Sequence, residues 1–286
     1  MTRQHTAPPA GGEITSSRSP RVKLARQLAK RAFRERTGQF LAEGPQAVRE
    51  ALGQPAVVTE VFITGPASER HPELAGQAAR EGIPVHTVSG EVMAEIAQTV
   101  TPQGLLAVCR MTDVPLAALV GAKPRLVVIL ANIRDPGNAG TVLRTADAAG
   151  ADGVIFSAAS VDPYNSKCVR SSAGSLFHLP VVAGAPLAET VAALRAAGLQ
   201  VLAADGSSGA QLPDAGGSGP DLGRPTAWLF GNEAWGLPAD LLALADEAVA
   251  VPIYGRAESL NLAAAAAVCL YASARLQRAA AGRAGG

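Results

Sequence analysis

Short apolar segments alternate with helix-like segments in two successive series along the 286-residue sequence, and this alternation is the strongest constraint on its fold. The first series runs from Gly38 to Met111. The second begins at Leu126, where the continuous apolar segment RLVVILAN is typical of a strand buried on both faces. Strands that alternate with helices form parallel sheets, because each crossover places a helix between two strands. The sequence therefore predicts an α/β fold whose second half is an open, mostly parallel sheet.

The two series divide the chain into two predicted domains. Residues 1–17 are polar and rich in Gly, Pro and Ser, a composition that favours a disordered arm. Residues 18–111 form the first domain, and residues 112–123 lack clear periodicity and are predicted to be a linker. The second domain covers residues 124–286 and ends in a long Ala-rich helix, predicted over residues 259–281.

Positive charge is concentrated near the N-terminus, although the net charge of the chain is only +1. Residues 1–36 contain nine Lys or Arg residues against two Glu residues, a local balance of +7, and residues 21–36 are predicted to form a basic helix. Such a helix can contact the phosphates of a nucleic acid. The alternative is a solvated helix face that only aids solubility. The first interpretation assigns phosphate contacts to Arg21, Lys23, Arg26 and Lys30.

Other functional classes lack the sequence features that they need. No apolar segment is long enough to span a bilayer, and the N-terminal residues have no apolar core of a secretory signal, so we expect a cytoplasmic protein. The three cysteines, Cys109, Cys168 and Cys269, are scattered and odd in number, so each is predicted to be a small buried hydrophobic residue. No HExxH, CxxC, phosphate-binding loop or GxSxG motif occurs, so metal catalysis, nucleotide hydrolysis and serine hydrolysis have no support.

Three loops that follow predicted strands concentrate Gly, Asn and charged residues. They are NIRDPGNAGTVLRTADAAGADG (132–153), LFGNEAWGLP (229–238) and VPIYGRAESLNLA (251–263). Open α/β sheets bind ligands at the carboxyl ends of their strands, Gly permits close backbone approach, and Asn both donates and accepts hydrogen bonds. The first loop has a G-x-x-G spacing and not the G-x-G-x-x-G of dinucleotide-binding proteins. The sequence therefore predicts a ligand site at these strand ends.

The three loops, in this order, resemble the three motifs of the SpoU/TrmH-type RNA ribose methyltransferases of the SPOUT class. SKCVRSSAGSLFHLPV and the N-terminal RSPRVKLARQLAKRAFRERTGQFLAEGPQAVREAL, with TPQG at 101–104, also resemble this family, so the resemblance extends over about residues 18–280. It implies an N-terminal RNA-binding domain with an L30-like α/β fold and a C-terminal SPOUT domain with a trefoil knot. It further implies a homodimer whose active site forms near the dimer interface.

The resemblance implies methyl transfer from S-adenosylmethionine to a ribose 2′-hydroxyl of RNA, and it assigns residues to this reaction. The implied catalytic residues are Asn138, Arg144, Glu233, Ser259 and Asn261. The implied cofactor-binding positions, which act mainly through backbone, are Leu229, Gly231, Val251, Ile253, Leu260 and Leu262. Core packing is the alternative for the apolar ones. Arg170 lies where the family often has an RNA-contacting Arg, and an ordinary ion pair is the alternative for it.

The additional N-terminal domain makes the chain more similar to the ribosomal RNA enzymes than to the minimal tRNA enzymes. We therefore expect 23S rRNA as the substrate in preference to tRNA, with no metal and no membrane partner. Two other functions remain as hypotheses, a non-catalytic RNA-binding protein of the same fold and a small-molecule enzyme with a nucleotide cofactor. The intact catalytic positions argue against the first, and the basic helix and the missing Gly fingerprint argue against the second.

Overall fold

A computed structural model describes residues 12–213, 219–232 and 235–284. By packing, the chain forms two units. The first contains the residues up to Thr112 together with Tyr164–Phe177, and the second contains Asp113–Pro163 and the residues from His178 onward. Both units combine helices with a sheet, as the α/β prediction requires.

The first unit is built on a four-stranded mixed sheet with the order β1-β4-β2-β3. Strand β4 is antiparallel to both of its neighbours, and β2 and β3 are parallel. The elements up to residue 112 are, in order, α1 (Pro20–Gln27), α2 (Arg31–Thr37), β1 (Gln39–Glu43), α3 (Pro45–Leu52), β2 (Val58–Ile63), α4 (Gly65–Arg70), α5 (Pro72–Arg80), β3 (Val85–Thr87), α6 (Gly90–Ile96) and β4 (Leu105–Arg110).

The second unit is built on a six-stranded sheet with the order β10-β8-β9-β5-β6-β7, in which every neighbouring pair is parallel. Its central strands are buried on both faces, as the continuous apolar segments predict. The elements after residue 112 are α7 (Leu116–Gly121), β5 (Leu126–Leu130), α8 (Pro136–Ala149), β6 (Gly153–Ser157), α9 (Ser166–Ser171), which packs in the first unit, β7 (Val181–Ala185), α10 (Leu187–Ala196), β8 (Gln200–Ala204), β9 (Thr226–Phe230), α11 (Ala239–Leu242), β10 (Glu247–Val249) and α12 (Leu262–Ala284).

The predicted basic helix over residues 21–36 is wrong, because the structure has two short helices with a break at residues 28–30. The buried Arg34 stabilises this break. Its Nη1 donates hydrogen bonds to the main-chain carbonyls of Leu28 and Ala29, at 2.9 Å each. Carbonyls at the end of a helix have no partner within the helix, so a guanidinium group that reaches them replaces the missing bonds.

The predicted disorder of residues 1–17 is also wrong for residues 12–17. Ile14 forms a parallel bridge with Val88, and its N–H donates to the Thr87 carbonyl at 2.8 Å. Ile14 packs against the core of the first unit, and this apolar contact stabilises the segment. Residues 1–11 lie outside the described part of the chain.

Two segments depart from the predicted domain boundaries. The predicted linker, residues 112–123, contains α7, whose Leu119 is buried in the core of the second unit. Helix α7 has fewer than two turns, which is too few for a helical period to be visible in the sequence. Residues Tyr164–Phe177, predicted to belong to the second domain, pack in the first unit, where the Phe40 ring lies 4.8 Å from Tyr164 and 6.0 Å from Phe177, centroid to centroid.

The cysteines behave as the sequence predicts. All three are buried and none forms a disulfide, and burial raises the pKa of the Cys269 thiol to about 12 and also raises that of Cys109. In the described residues, no helix has both the length and the apolar character needed to cross a membrane.

Candidate active site

A cleft of about 380 Å³ opens at the carboxyl ends of three adjacent parallel strands of the second unit, β10, β8 and β9. The second and third loops identified in the sequence line most of it, and the residues after β8 complete it. Its lining is Ala204–Gly206, Phe230–Asn232, Gly236, Val249, Val251, Ile253, Glu258–Leu260, Leu262 and Ala265. The cleft thus lies where open α/β sheets bind their ligands.

Five of the six predicted cofactor-binding positions line this cleft, namely Gly231, Val251, Ile253, Leu260 and Leu262. The sixth, Leu229, is fully buried within β9 and packs in the core, which agrees with the alternative interpretation for the apolar positions.

The packing of the protein requires glycine at position 231, whether or not a ligand is bound. A Cβ atom at this position would lie 2.6 Å from Cγ of Leu237 and 2.7 Å from the carbonyl carbon and oxygen of Gly236. The main chains of Asn232 and Gly236 pair with each other just beyond it, with N–H to carbonyl distances of 3.1 and 2.8 Å. Glycine therefore permits the tight turn that forms this wall of the cleft.

The site predicted from the sequence did not include the residues that follow β8 or the acid before Ser259. Asp205 and Gly206 line the cleft, as does Glu258. The Asp205 carboxylate accepts hydrogen bonds from the N–H and Oγ of Ser207, both at 2.8 Å. The signal was present, because Asp-Gly follows an apolar strand in LQVLAADGSSG just as Gly-Asn follows β9. The two carboxylates add negative charge to the lining of the cleft, which suits a cationic ligand.

The predicted catalytic residues Asn138 and Asn261 are joined by a hydrogen bond. The Asn261 amide donates to Oδ1 of Asn138 at 3.1 Å, while its own Oδ1 accepts from the N–H of Ala263 at 2.9 Å. Asn261 thereby caps α12, which begins at Leu262 and not at the predicted residue 259. Asp135 caps α8 in the same way, accepting from the N–H of Asn138 at 2.8 Å. The asparagine pair links the N-terminal ends of α8 and α12.

The other predicted catalytic residues do not all lie at the cleft. Ser259 lines the cleft beside Leu260. Arg144 is exposed on α8 and is not part of the lining, and its position six residues after Asn138 places it roughly 120° further around the helix. Within the described residues, no group forms a hydrogen bond or an ion pair with the Arg144 side chain. Glu233 lies outside the described residues.

Arg170 occupies a different place, in the first unit. Its guanidinium group lies 3.1 Å from Oε2 of Glu43, a side chain that is only 6% exposed. Glu43 also accepts from the N–H of Gln98 at 3.2 Å and from the hydroxyl of Thr99. Arg170 is therefore an ion-pair partner, with 29% of its side chain still exposed. It faces a cleft of about 290 Å³ within the first unit, which Thr101 and Gln103 also line.

The four basic residues assigned to phosphate contacts fall into two pairs. Arg21 lies 3.2 Å from a carboxylate oxygen of Glu60, and Arg26 lies 2.6 Å from one of Glu95. Lys23 and Lys30 are exposed, and within the described part of the chain no carboxylate forms an ion pair with either ammonium group.

Each of the two units matches a family of known proteins. The model of the SpoU rRNA Methylase family matches residues 125–271, and that of the MRM3-like substrate binding domain matches residues 19–107. The chain is 38% identical to an uncharacterized tRNA/rRNA methyltransferase of Synechocystis over 93% of this chain and 95% of the relative. It is 36% identical to the 23S rRNA (guanosine(2553)-2′-O)-methyltransferase RlmP of Bacillus subtilis over 91% and 98%, respectively.

Solved structures give the same result. The fold matches the AdoMet-bound rRNA methyltransferase of Sinorhizobium meliloti with a TM-score of 0.77 and 31% identity, covering 92% of this chain and 97% of that one. The family match covers the cleft and the asparagine pair, and the relatives align over nearly their whole length. The chain belongs to the SpoU rRNA methylase family.

Proposed function

We propose that this protein transfers a methyl group from S-adenosylmethionine to a ribose 2′-hydroxyl of 23S rRNA, in the cytoplasm. The observation that carries the proposal is the cleft of the second unit, because the two loops that line most of it are the loops that carry the family's second and third motifs. The Bacillus subtilis relative is named for this reaction, and the matched Sinorhizobium meliloti structure contains AdoMet.

The residues of the cleft fit S-adenosylmethionine. Val251, Ile253, Leu260 and Leu262 offer an apolar wall for a flat base. The carboxylates of Asp205 and Glu258 suit the positive charges of the sulfonium and the amino group. A Cβ atom added to Gly206 would meet no atom within 4 Å, so the backbone here leaves room for a ligand.

The cofactor supplies an electrophilic methyl group on a sulfonium centre, and its transfer needs no metal. The protein's part is to hold the ribose oxygen in line with that methyl group, which can supply much of the acceleration. Ser259 at the cleft and the hydrogen-bonded pair Asn138 and Asn261 beside it are suited to this positioning. Because the pair joins the ends of two helices, its amides are held in fixed orientations.

Arg144 stabilises the charge that develops on the ribose oxygen and binds the neighbouring phosphate. An Arg side chain is effectively always protonated, so it serves better as a cation than as a base. Its lack of an ion-pair partner in the described residues leaves the guanidinium free to meet RNA. The proton of the hydroxyl leaves to that phosphate, to water or to a transiently neutral Arg144. Glu233 keeps the catalytic role that the resemblance assigns to it, with bracing of Asn138 or of the second loop as the alternative.

The first unit binds the RNA substrate, in keeping with its match to a substrate-binding domain. Lys23 and Lys30 contact phosphates directly, and Arg21 and Arg26 do so by exchanging a carboxylate for a phosphate. The Arg26–Glu95 pair is exposed, and exposed ion pairs contribute little to stability, so its exchange costs little. Glu60, the partner of Arg21, is only 19% exposed. Arg170 contacts RNA with the exposed part of its side chain while Glu43 holds it in place.

Two copies of the chain form a homodimer through α12, and each second unit carries the trefoil knot of its family. Val268 and Tyr271 are large, exposed and three residues apart, so they share one face of this helix. Helix α8, which carries Arg144, lies against α12, where the Tyr271 hydroxyl donates to the Ala148 carbonyl at 3.3 Å. A second copy that covers this face would bring Arg144 to the edge of the interface.

A methylation assay with purified components tests the proposal. Protein, S-adenosylmethionine with a labelled methyl group, and 23S rRNA transcribed without modifications should give label at one ribose, found by nuclease digestion and mass spectrometry. Label in a tRNA pool and not in 23S rRNA would favour the tRNA alternative. Binding of RNA without transfer would favour the non-catalytic one.

A further inference from the structure

In the described part of the second unit, the exposed large apolar side chains lie in two places. One group is on α12 and consists of Val268, Tyr271 and Leu276. The other is on the two loops that line the cofactor cleft and consists of Trp235, Ile253, Tyr254 and Leu260. Ile253 and Leu260 are part of the cleft lining, whereas Trp235 and Tyr254 are not, and these two are 63% and 88% exposed. Two aromatic rings this exposed need a reason in a chain with only 4% aromatic residues.

Each ring is next in sequence to a residue of the cleft lining. Trp235 directly precedes Gly236, whose main chain pairs with that of Asn232, and both of these residues line the cleft. Tyr254 directly follows Ile253, which also lines it. The backbone at both positions therefore adjoins the cleft wall, while most of each side chain remains exposed to solvent.

Tyr254 lies in an exposed segment of mixed character. Residues 253–260 are all exposed, and they include the apolar Ile253 and Leu260 of the cleft lining as well as Arg256 and Glu258. In the part of the chain that the structure describes, the Arg256 side chain has no ion-pair partner. An aromatic ring next to the cleft lining and two residues from such a cation suits a planar base attached to a phosphate.

We propose that Trp235 and Tyr254 stack on unpaired bases of the RNA at the mouth of the cleft, with Arg256 on an adjacent phosphate; this rests on the proposed function. A ribose can enter the cleft only if its nucleotide leaves the stacked helix. Aromatic faces replace part of the stacking that the RNA then loses. Every base has a π-face, so these contacts recognise an unpaired state and accept more than one base.

Tryptophan fluorescence tests the contact directly, because the chain has two tryptophans in opposite environments. Trp228 is fully buried, and its Nε1 donates to the Ser273 hydroxyl at 2.9 Å, so only Trp235 can meet a base. A short single-stranded oligouridylate should quench the emission of the full-length protein, and an RNA duplex of equal length should quench it less. Trp235→Phe should abolish the quenching, leaving the emission of Trp228.

Steady-state methylation of 23S rRNA supplies the functional readout. Trp235→Ala and Tyr254→Ala should each raise the KM for RNA by about tenfold, with kcat and the affinity for S-adenosylhomocysteine changed by less than about twofold. Trp235→Phe and Tyr254→Phe, which keep a ring, serve as matched controls and should stay close to wild type.

Two results would overturn the inference. One is an unchanged KM in both Ala variants of an active enzyme. The other is a Trp235 emission that shifts with protein concentration and not with RNA, which would assign the rings to a contact with a second copy. If the wild type binds RNA and quenches but does not methylate 23S rRNA, the proposed function fails while the stacking contact stands.

Discussion

Several arginines of the first unit differ in their contacts from the arginines near the cleft of the second unit, although Arg195 elsewhere in the second unit does pair with Asp246 at 2.7 Å. In the first unit, Arg21, Arg26 and Arg170 each pair with a carboxylate, and Arg34 is buried on main-chain carbonyls. In the second unit, the loops and helix near the cleft carry Arg134, Arg144 and Arg256, all exposed. Within the described residues, none of these three has an ion-pair partner.

This difference indicates that the local charge balance does not by itself identify the cations that are available to bind RNA. The first 36 residues have a balance of +7, yet several of their guanidinium groups hold the fold together. The second unit has fewer cations, but three of them, Arg134, Arg144 and Arg256, have no ion-pair partner in the described residues and lie on the elements that carry the family's motifs. We infer that the first unit contributes affinity through its lysines and exposed pairs, and the second contributes the contact that accelerates transfer.

The largest effect should come from a free arginine. Arg144→Ala should lower the single-turnover rate of methylation by about 10²-fold or more, because it removes a preorganised charge from the reacting oxygen. Binding of S-adenosylhomocysteine, measured by calorimetry, should be nearly unchanged, since Arg144 does not line the cleft. Arg21→Ala is the matched paired arginine and should be far milder. Retention of more than a tenth of the rate in Arg144→Ala would reject the distinction between the two units.

The second-largest effect is expected on cofactor binding, which a glycine variant can change while all the cations stay in place. Gly206→Val should weaken binding of S-adenosylhomocysteine by about 10- to 200-fold, because its side chain would take ligand space without touching protein. Gly231→Val is a poor test, since its side chain would collide with Leu237 and Gly236 and disturb the turn itself. A folded Gly206→Val protein with normal affinity would show that the cofactor binds elsewhere.

A smaller effect is expected from a paired arginine. Arg170→Ala should destabilise the protein by about 2 kcal/mol in chemical denaturation, because it leaves the buried Glu43 carboxylate without its cation. The double variant Glu43→Gln with Arg170→Ala should recover part of this loss. Unchanged stability in Arg170→Ala would mean that the ion pair is not structural and that its main role is to bind RNA.

The smallest effect concerns salt dependence. Lys23→Ala with Lys30→Ala should reduce the slope of log affinity against log salt by about 0.7–0.9 for each lost contact. Arg21→Ala with Arg26→Ala removes an equal charge but should reduce the slope less, because Glu60 and Glu95 compete with phosphate for these arginines. Filter binding of a 23S rRNA fragment measures both slopes. Equal reductions of the slope in the two double variants would show that the lysines and the paired arginines contribute equally to phosphate binding.

The sequence predicted those parts of the molecule that depend on local pattern. The parallel sheet of the second unit follows from continuous apolar segments, and Gly and Asn after β9 and β10 marked two walls of the cleft. Asp205 was missed although its strand end has the same character, since the sequence does not show that β8 lies between β9 and β10 in the sheet.

The predictions that were wrong concern features that depend on contacts between residues far apart in the sequence. The break in residues 21–36 requires Arg34 to be buried, and the order at Ile14 requires Val88. The segment Tyr164–Phe177 joins the first unit through Phe40 and Glu43, which no linear boundary can express. Removal of the first 113 residues would strip this segment of those partners, so point variants of the full chain are the cleaner test of RNA binding.

Ribose-methylation mapping of 23S rRNA from a strain that lacks this gene would test the proposed methylation and the role of Arg144 together. We expect one 2′-O-methylated nucleotide to disappear, and to return with the wild-type gene but not with Arg144→Ala. A complete set of ribose methylations in the deletion strain would show that 23S rRNA is not the substrate, and recovery of the missing one by Arg144→Ala would show that Arg144 is not catalytic.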